Sequence, residues 1–286
     1  RFRREVKNAR PDALILAEHY GDPASWLEGD QWDSIMNYDA FMEPLTWFFT
    51  GMEKQSDERR QDLWGNADHF VSVMNHHMAA MQTPSLQVAM NELSNHDHSR
   101  FLTRTNHIVG RVQNLGYKAA REGINSAVMR SAVVIQMTWV GAPTIYYGDE
   151  AGVCGFTDPD NRRTYPWGHE NHELIAFHKD IIRIHKESEA LRYGSLEILL
   201  GEENLLAYGR FTETEKVIII IHNRSELSEV TVPVWRAEVP MKCKMQSNIY
   251  SYEHGYKMDS EQYLVEDGEV VLNMGKYSAV VMTYKS

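Results

Sequence analysis

Leu86-Gln87-Val88-Ala89-Met90-Asn91, followed by Ser94-Asn95-His96-Asp97-His98-Ser99-Arg100, is the stretch on which the fold turns. Its first part alternates loosely between apolar and polar residues, which predicts a short strand buried on at least one face. The second part then delivers an acid, an imidazole and a cation at the strand's carboxyl end. In barrels and open sheets of parallel strands, that end carries the chemistry. Taken alone, the heptad also fits a polar loop whose Asp97 caps a following helix. Its surroundings decide between the two.

Upstream, Ala13-Leu14-Ile15-Leu16-Ala17 is a continuous apolar run, as expected of a parallel strand covered on both faces. It ends in Glu18-His19-Tyr20, a carboxylate with no helical pattern directly after it. Ser34 to Tyr38 reads as a second strand and Thr144 to Tyr147 as a fourth, closed by Gly148-Asp149-Glu150. Helical stripes separate them over 41–49, 67–81 and 119–139, and a further one covers 171–187. Residues 1 to about 9 read as the middle of an amphipathic helix, stopped where Arg10-Pro11-Asp12 forces an extended approach. Strand-then-helix alternation implies right-handed parallel crossovers, and four such units make half of an eight-stranded (β/α)8 barrel. Glu18 and Asp97 then end the first and third strands on one rim. From about Leu191 the pattern changes to short strands with turns between them: 197–200, 205–209, 217–221, 230–232, 270–272 and 279–282. The expected fold class is α/β, a half barrel over 1–188, followed by a small all-β sandwich over 189–286.

Composition narrows the partners. Of the 286 residues, 43% are apolar, enough for a sizeable core. The formal net charge of −11, with no run of Lys and Arg, disfavours a nucleic-acid partner. No 18-residue apolar segment exists to span a membrane. Cys154 and Cys243 stand far apart and suggest neither a disulfide framework nor a metal site. His169-Glu170-Asn171-His172 has its histidines three apart rather than four, and Asp158-Pro159-Asp160-Asn161-Arg162-Arg163 has Arg where a calcium loop needs Gly. No metal or cofactor is expected. The compartment stays open, with the cytoplasm favoured.

The motifs resemble the α-amylase family, the family 13 glycoside hydrolases. Ala17-Glu18-His19-Tyr20 resembles the segment holding the general acid/base. Residues Trp26 to Tyr38 resemble the region after it in neopullulanase, cyclomaltodextrinase and maltogenic amylase types. Asn95-His96-Asp97 with Arg100 resembles the segment of the transition-state stabiliser. Gly141 to Glu150 and Asp158 to Arg162 resemble the last strand and its loop in the same subgroup. By that resemblance Glu18 donates the proton and then acts as base, Asp97 stabilises the oxocarbenium-like transition state, and His96 binds sugar hydroxyls. Asp158 and Arg162 lie at the glycone end, and Tyr20 stands where a Trp platform is frequent. Ala17 and His98 depart from the family's usual Gly and Thr.

Retaining glycoside hydrolysis needs two carboxyl groups about 5–5.5 Å apart, one attacking and one protonating the leaving oxygen. The resemblance places the attacking aspartate one strand earlier, upstream of Arg1, so the chain is expected to be a fragment without turnover of its own. Arg100 is expected to assist Asp97. Tyr20, Trp26, Trp32, Tyr38 and Trp167 are candidates for stacking on sugar rings. The expected substrate is an α-glucan oligosaccharide, such as a maltooligosaccharide, cyclodextrin or pullulan. A non-catalytic module binding carbohydrate or protein is the alternative. The bare strand edges of a half barrel predict self-association.

Overall fold

In the computed structural model, which describes residues 1–259 and 261–286, four short parallel strands form the first half of the molecule. They are β1 (Leu16–Ala17), β2 (Ser34–Ile35), β3 (Met90–Glu92) and β4 (Ala142–Thr144). β1 pairs with β2 and β3 with β4, and a parallel bridge from Met36 to Met90 joins the two pairs. The order β1-β2-β3-β4 is therefore that of the chain, as in a barrel segment. Asn91 ties this sheet together. It accepts from Asn37 at 2.7 Å, and its own amide donates to the Val140 carbonyl at 2.9 Å. Gly141 beside it, at φ 131°, has no room for a side chain, since a Cβ there would lie 2.4 Å from Asn91.

The helices are α1 (Phe2–Ala9), α2 (Glu43–Thr50), α3 (Ala67–Ala79), α4 (Thr83–Gln87), α5 (Phe101–Arg104), α6 (Val112–Leu115), α7 (Ser126–Thr138), α8 (His172–Glu187) and α9 (Glu189–Tyr193). Side-chain caps set four of the starts. Asn66, Asn125, Asn171 and Ser188 each accept a backbone N–H from the first turn of α3, α7, α8 and α9. α7 is buried on every side from Ala127 to Thr138, because it lies between the partial barrel and the domain that follows.

That second domain is a nine-stranded antiparallel sheet: β5 (Ser195–Glu202), β6 (Leu205–Phe211), β7 (Glu215–His222), β8 (Ser228–Val232), β9 (Cys243–Tyr252), β10 (Gly255–Met258), β11 (Gln262–Glu266), β12 (Glu269–Met274) and β13 (Ser278–Lys285). Its order is β5-β6-β7-β13-β9-β11-β12-β8, with β10 pairing β9 over Ile249–Tyr252, beyond the residues of β9 that meet β11. One face encloses a core of its own, including Ile218, Ile220, Val232, Val270 and Met282. The opposite face of β6, β7 and β13 packs Tyr208, Ile219, Ile221 and Val281 into the core of α7 and α8. Burial on both faces explains why Val217–Ile221 is an unbroken apolar run.

Several expected boundaries shift. Leu86 and Gln87 end α4 rather than begin a strand, since Pro84 suits a first helical turn, and the pairing starts only at Met90. Pairing of the first strand is confined to Leu16 and Ala17. The fourth strand stops at Thr144, and Tyr146 and Tyr147 turn away. The helix expected over 119–139 breaks at 122–125, where Gly123 takes φ 71°. The all-β domain holds three strands that the sequence reading passed over. β9, for instance, alternates strictly but points Ser247 and Ser251 inward, so hydrophobicity alone hides it.

Candidate active site

Glu18 follows β1 directly, and His96 and Asp97 lie in the loop after β3, two strands away. The loops bring all three to one rim. His96 Nε2 stands 3.3 Å from Glu18 Oε1 and 3.5 Å from Asp97 Oδ1. One atom from each of the three side chains lies within 4.8 Å of the other two. Their side chains are 41%, 39% and 41% exposed, so a molecule as bulky as a sugar can reach them. Two carboxylates bridged by an imidazole on an open rim are an arrangement in which protons can be exchanged with a bound molecule.

The loop carrying Asp97 is fastened from below. Asn95 Oδ1 accepts the backbone N–H of Asp97 at 3.0 Å and of His98 at 2.9 Å. Asn161 is fully buried, and its amide donates to the carbonyls of Asn95 (2.9 Å) and His98 (2.8 Å). The Asp158 N–H donates to the Asp97 carbonyl at 3.0 Å, and the Thr157 hydroxyl donates to the same oxygen. Asp158 and Arg162 reach the rim together. Arg162 Nε donates to the His96 carbonyl at 3.0 Å and lies 2.5 Å from Asp158 Oδ1, while its Nη2 is 3.9 Å from Asp97.

Arg162 is thus the cation nearest Asp97, and the role expected of Arg100 is corrected. Arg100 is fully buried and points away from Asp97. It donates to Asp149 (2.9 Å) and to the carbonyls of Tyr147 (2.6 Å) and Asn161 (2.8 Å), with the rings of Tyr146 and Tyr147 over its guanidinium. It joins the loops after β3 and β4. Burial raises the Asp149 carboxyl above its usual range, and Arg100 offsets part of that.

Tyr20 lies flat against Tyr38, with centroids 4.5 Å apart and planes at 15°, and its hydroxyl meets His98 Nε2 at 3.3 Å. Tyr20 is 47% exposed and Tyr38 1%, so of this pair only Tyr20 can face a ligand. Tyr38 is corrected from a stacking candidate to a buried support, and burial holds its hydroxyl protonated. Trp26 stacks on Trp32 at 4.9 Å beside His19, and Trp167 stands out next to Tyr165. His98 is fully buried, and burial together with the charges of Arg104 and Lys54 pushes its pKa down to about 3.

One carboxyl passed over in the sequence sits directly beneath. Glu92 ends β3 at 1% exposure, and burial, with Asp149 and Glu18 nearby, pushes it up to about 8. An acid in a buried strand is the signal that marks it.

Comparison with known proteins agrees with the geometry. Residues 1–190 match the family described as alpha amylase, catalytic domain. The chain is 35% identical over 237 residues to Neopullulanase 2 of Thermoactinomyces vulgaris, covering 82% of this chain and 36% of that protein. It is 33% identical over 228 residues to a cyclomaltodextrinase of Thermoanaerobacter pseudethanolicus, covering 79% and 35%. A solved cyclomaltodextrinase superposes with a TM-score of 0.78 at 27% identity, over 98% of this chain and 42% of that one. The chain spans about a third of the length of these curated relatives. With its first 190 residues matching that catalytic-domain family and a third of its aligned residues identical to these relatives, the chain belongs to the α-amylase family.

Proposed function

We propose that this polypeptide supplies the acid/base side of a retaining α-glucan hydrolase. Glu18 protonates the leaving glycosidic oxygen and then activates water, and Asp97 carries the charge that stabilises the oxocarbenium-like transition state. His96 holds a sugar hydroxyl beside the cleaved bond, Asp158 and Arg162 border the glycone end, and Tyr20 offers its exposed face to a ring. The substrates are maltooligosaccharides, cyclodextrins or pullulan, cut at α-1,4 and sometimes at α-1,6 bonds. The observation that supports this most is the convergence of Glu18, His96 and Asp97 within 4.8 Å on an open rim. The proposed division between the partial barrel and the β domain falls at 188/189.

The 286 residues by themselves are proposed to lack turnover. Retaining chemistry requires an attacking carboxylate besides the acid and the stabiliser, and among the described residues the rim cluster contains only Glu18 and Asp97. Hydrolysis of maltooligosaccharide by the purified polypeptide would overturn that. In a form of the protein that does turn over, Glu18→Gln should lose more than a hundredfold in kcat while keeping sugar binding. A variant retaining hydrolysis removes Glu18 from the acid/base role, while sugar binding without hydrolysis in a longer parent protein favours the alternative, a non-catalytic binding module. Self-association is proposed through the outer edges of β1 and β4, each paired on one side among the described residues. A monomer by light scattering at micromolar concentration counts against it.

A further inference from the structure

Glu92 has no place in the roles above, yet it is buried two hydrogen bonds behind the residue that contacts the acid. Asn95 donates one amide hydrogen to Glu92 Oε1 at 2.8 Å and the other to the Tyr38 hydroxyl oxygen at 3.0 Å. Tyr38 in turn donates its own hydrogen to Glu18 Oε1 at 3.1 Å. We propose that Glu92 is a positioning residue for Glu18, acting through the Asn95 amide and the Tyr38 hydroxyl; this rests on Glu18 being the acid/base.

The direction of each bond follows from the groups. Asn95 Oδ1 is occupied by two backbone N–H groups, so its amide cannot flip without abandoning them. Its two hydrogens must therefore find acceptors on the other side, and Glu92 and Tyr38 are those acceptors. Accepting from Asn95 leaves the Tyr38 hydroxyl with its hydrogen free, aimed at Glu18. The stacked ring of Tyr20 keeps Tyr38 in plane. Without an acceptor at position 92, one buried amide hydrogen would be orphaned and the Asn95 plane would lose one of its anchors.

The charged and titratable groups that face Glu92 are Glu18 at the end of β1, Tyr38 after β2, Arg104 on α5 and Asp149 after β4. Burial opposes its ionisation most, Asp149 and Glu18 add to that, and the Asn95 hydrogen bond and Arg104 favour the charged form. Glu92 thus keeps its proton through neutral pH. When it ionises, its oxygen becomes a stronger acceptor, draws on the Asn95 amide, and the change passes to the Tyr38 hydroxyl.

The test is a carbon-13 NMR titration of the whole polypeptide, following the Glu92 side-chain carboxyl and the Tyr38 ring carbon that bears the hydroxyl. Glu92→Gln assigns the first signal and keeps an acceptor for Asn95. The expected result is a Glu92 midpoint near 8 and a Tyr38 shift on that same midpoint, the latter lost in Glu92→Gln. A Tyr38 signal that ignores the Glu92 titration overturns the proposal, as does one that moves equally in the variant or a Glu92 midpoint in the ordinary carboxylate range. The wild-type titration alone can refute the relay, should the variant fail to fold. No turnover is needed: the acid/base role of Glu18 stands or falls with Glu18→Gln in a hydrolysing form of the protein, whereas this relay stands or falls with the titration, so the two failures are told apart.

Discussion

Glu92→Gln should change how the stability of this protein depends on pH, and by an amount the structure sets. The Glu92 carboxyl is pushed from an ordinary 4.5 to about 8 by burial. Between those values the native state holds a proton that the unfolded chain has released, so stability falls as pH rises. Below about 4.5 both states are protonated and the contribution is complete; above about 8 both are ionised and it is gone. At about 1.4 kcal/mol for each pH unit of that interval, the full loss approaches 5 kcal/mol, and relaxation or water entry in the ionised state brings it to about 3–5 kcal/mol. Gln keeps the shape and the acceptor for Asn95 but has nothing to titrate. Urea unfolding of both proteins from pH 4 to 9 should therefore give curves that diverge across 4.5–8, with the variant more stable at the alkaline end. Groups remote from Glu92 titrate alike in the two and drop out of the difference, leaving Glu92 and its neighbours Glu18, Tyr38 and Asp149. A difference that stays constant with pH would show that Glu92 is not buried as described, and would refute the reasoning.

Two other perturbations probe the walls of the site. Arg100→Met leaves Asp149 buried without its cation and strips donors from the carbonyls of Tyr147 and Asn161, so it should cost about 3–5 kcal/mol and on the order of 10 °C in melting temperature. Arg100→Lys should recover only part, because a single ammonium cannot reach three acceptors arranged around a planar fork; calorimetry distinguishes these outcomes. His98, held down to about 3 by burial, should remain neutral by nitrogen-15 NMR at pH 5, where an exposed histidine is protonated. Since the unfolded chain takes up that proton first, the stability this group contributes is complete above about 6.5 and is lost as pH falls toward 3.

Parallel strands joined by amphipathic helices leave a strong mark in sequence, and the four units, their order and the shift to an all-β pattern near Leu191 were legible. The strand limits were not. In a barrel segment only two or three residues of each strand pair, so an apolar run such as Ala13–Ala17 exceeds the ladder it enters. What ends the ladder is where the next loop is pulled. Tyr146 and Tyr147 have excellent strand propensity, yet they leave the sheet to cover the Arg100 guanidinium, a partner more than forty residues away. β9 escaped for the opposite reason: its inward positions include serines, which satisfy the alternation in space but not in hydrophobicity.

The same division runs through the site. Glu18, His96 and Asp97 each stand at the end of a legible strand, and a common rim follows from parallel order alone, before any contact is known. Arg100 shows where that reasoning stops: proximity in sequence suggested a partner for Asp97, whereas burial gave the guanidinium to Asp149 and left Arg162, from a loop sixty residues on, beside Asp97. The supports are contacts between loops, with no periodicity to announce them. Asn161 holds the Asp97 loop through two carbonyls, and Asn95 holds it through two backbone amides while its own amide hydrogens fix the direction of the Tyr38 hydroxyl. Each bond is weak alone, at about 1 kcal/mol net, but together they leave the Asn95 plane one orientation. A buried Glu at the end of a strand costs several kcal/mol if charged, and Glu92 avoids most of that cost by keeping its proton. The rim acids can stay open to a ligand because the rigidity they need is supplied one layer below, by groups that never meet solvent.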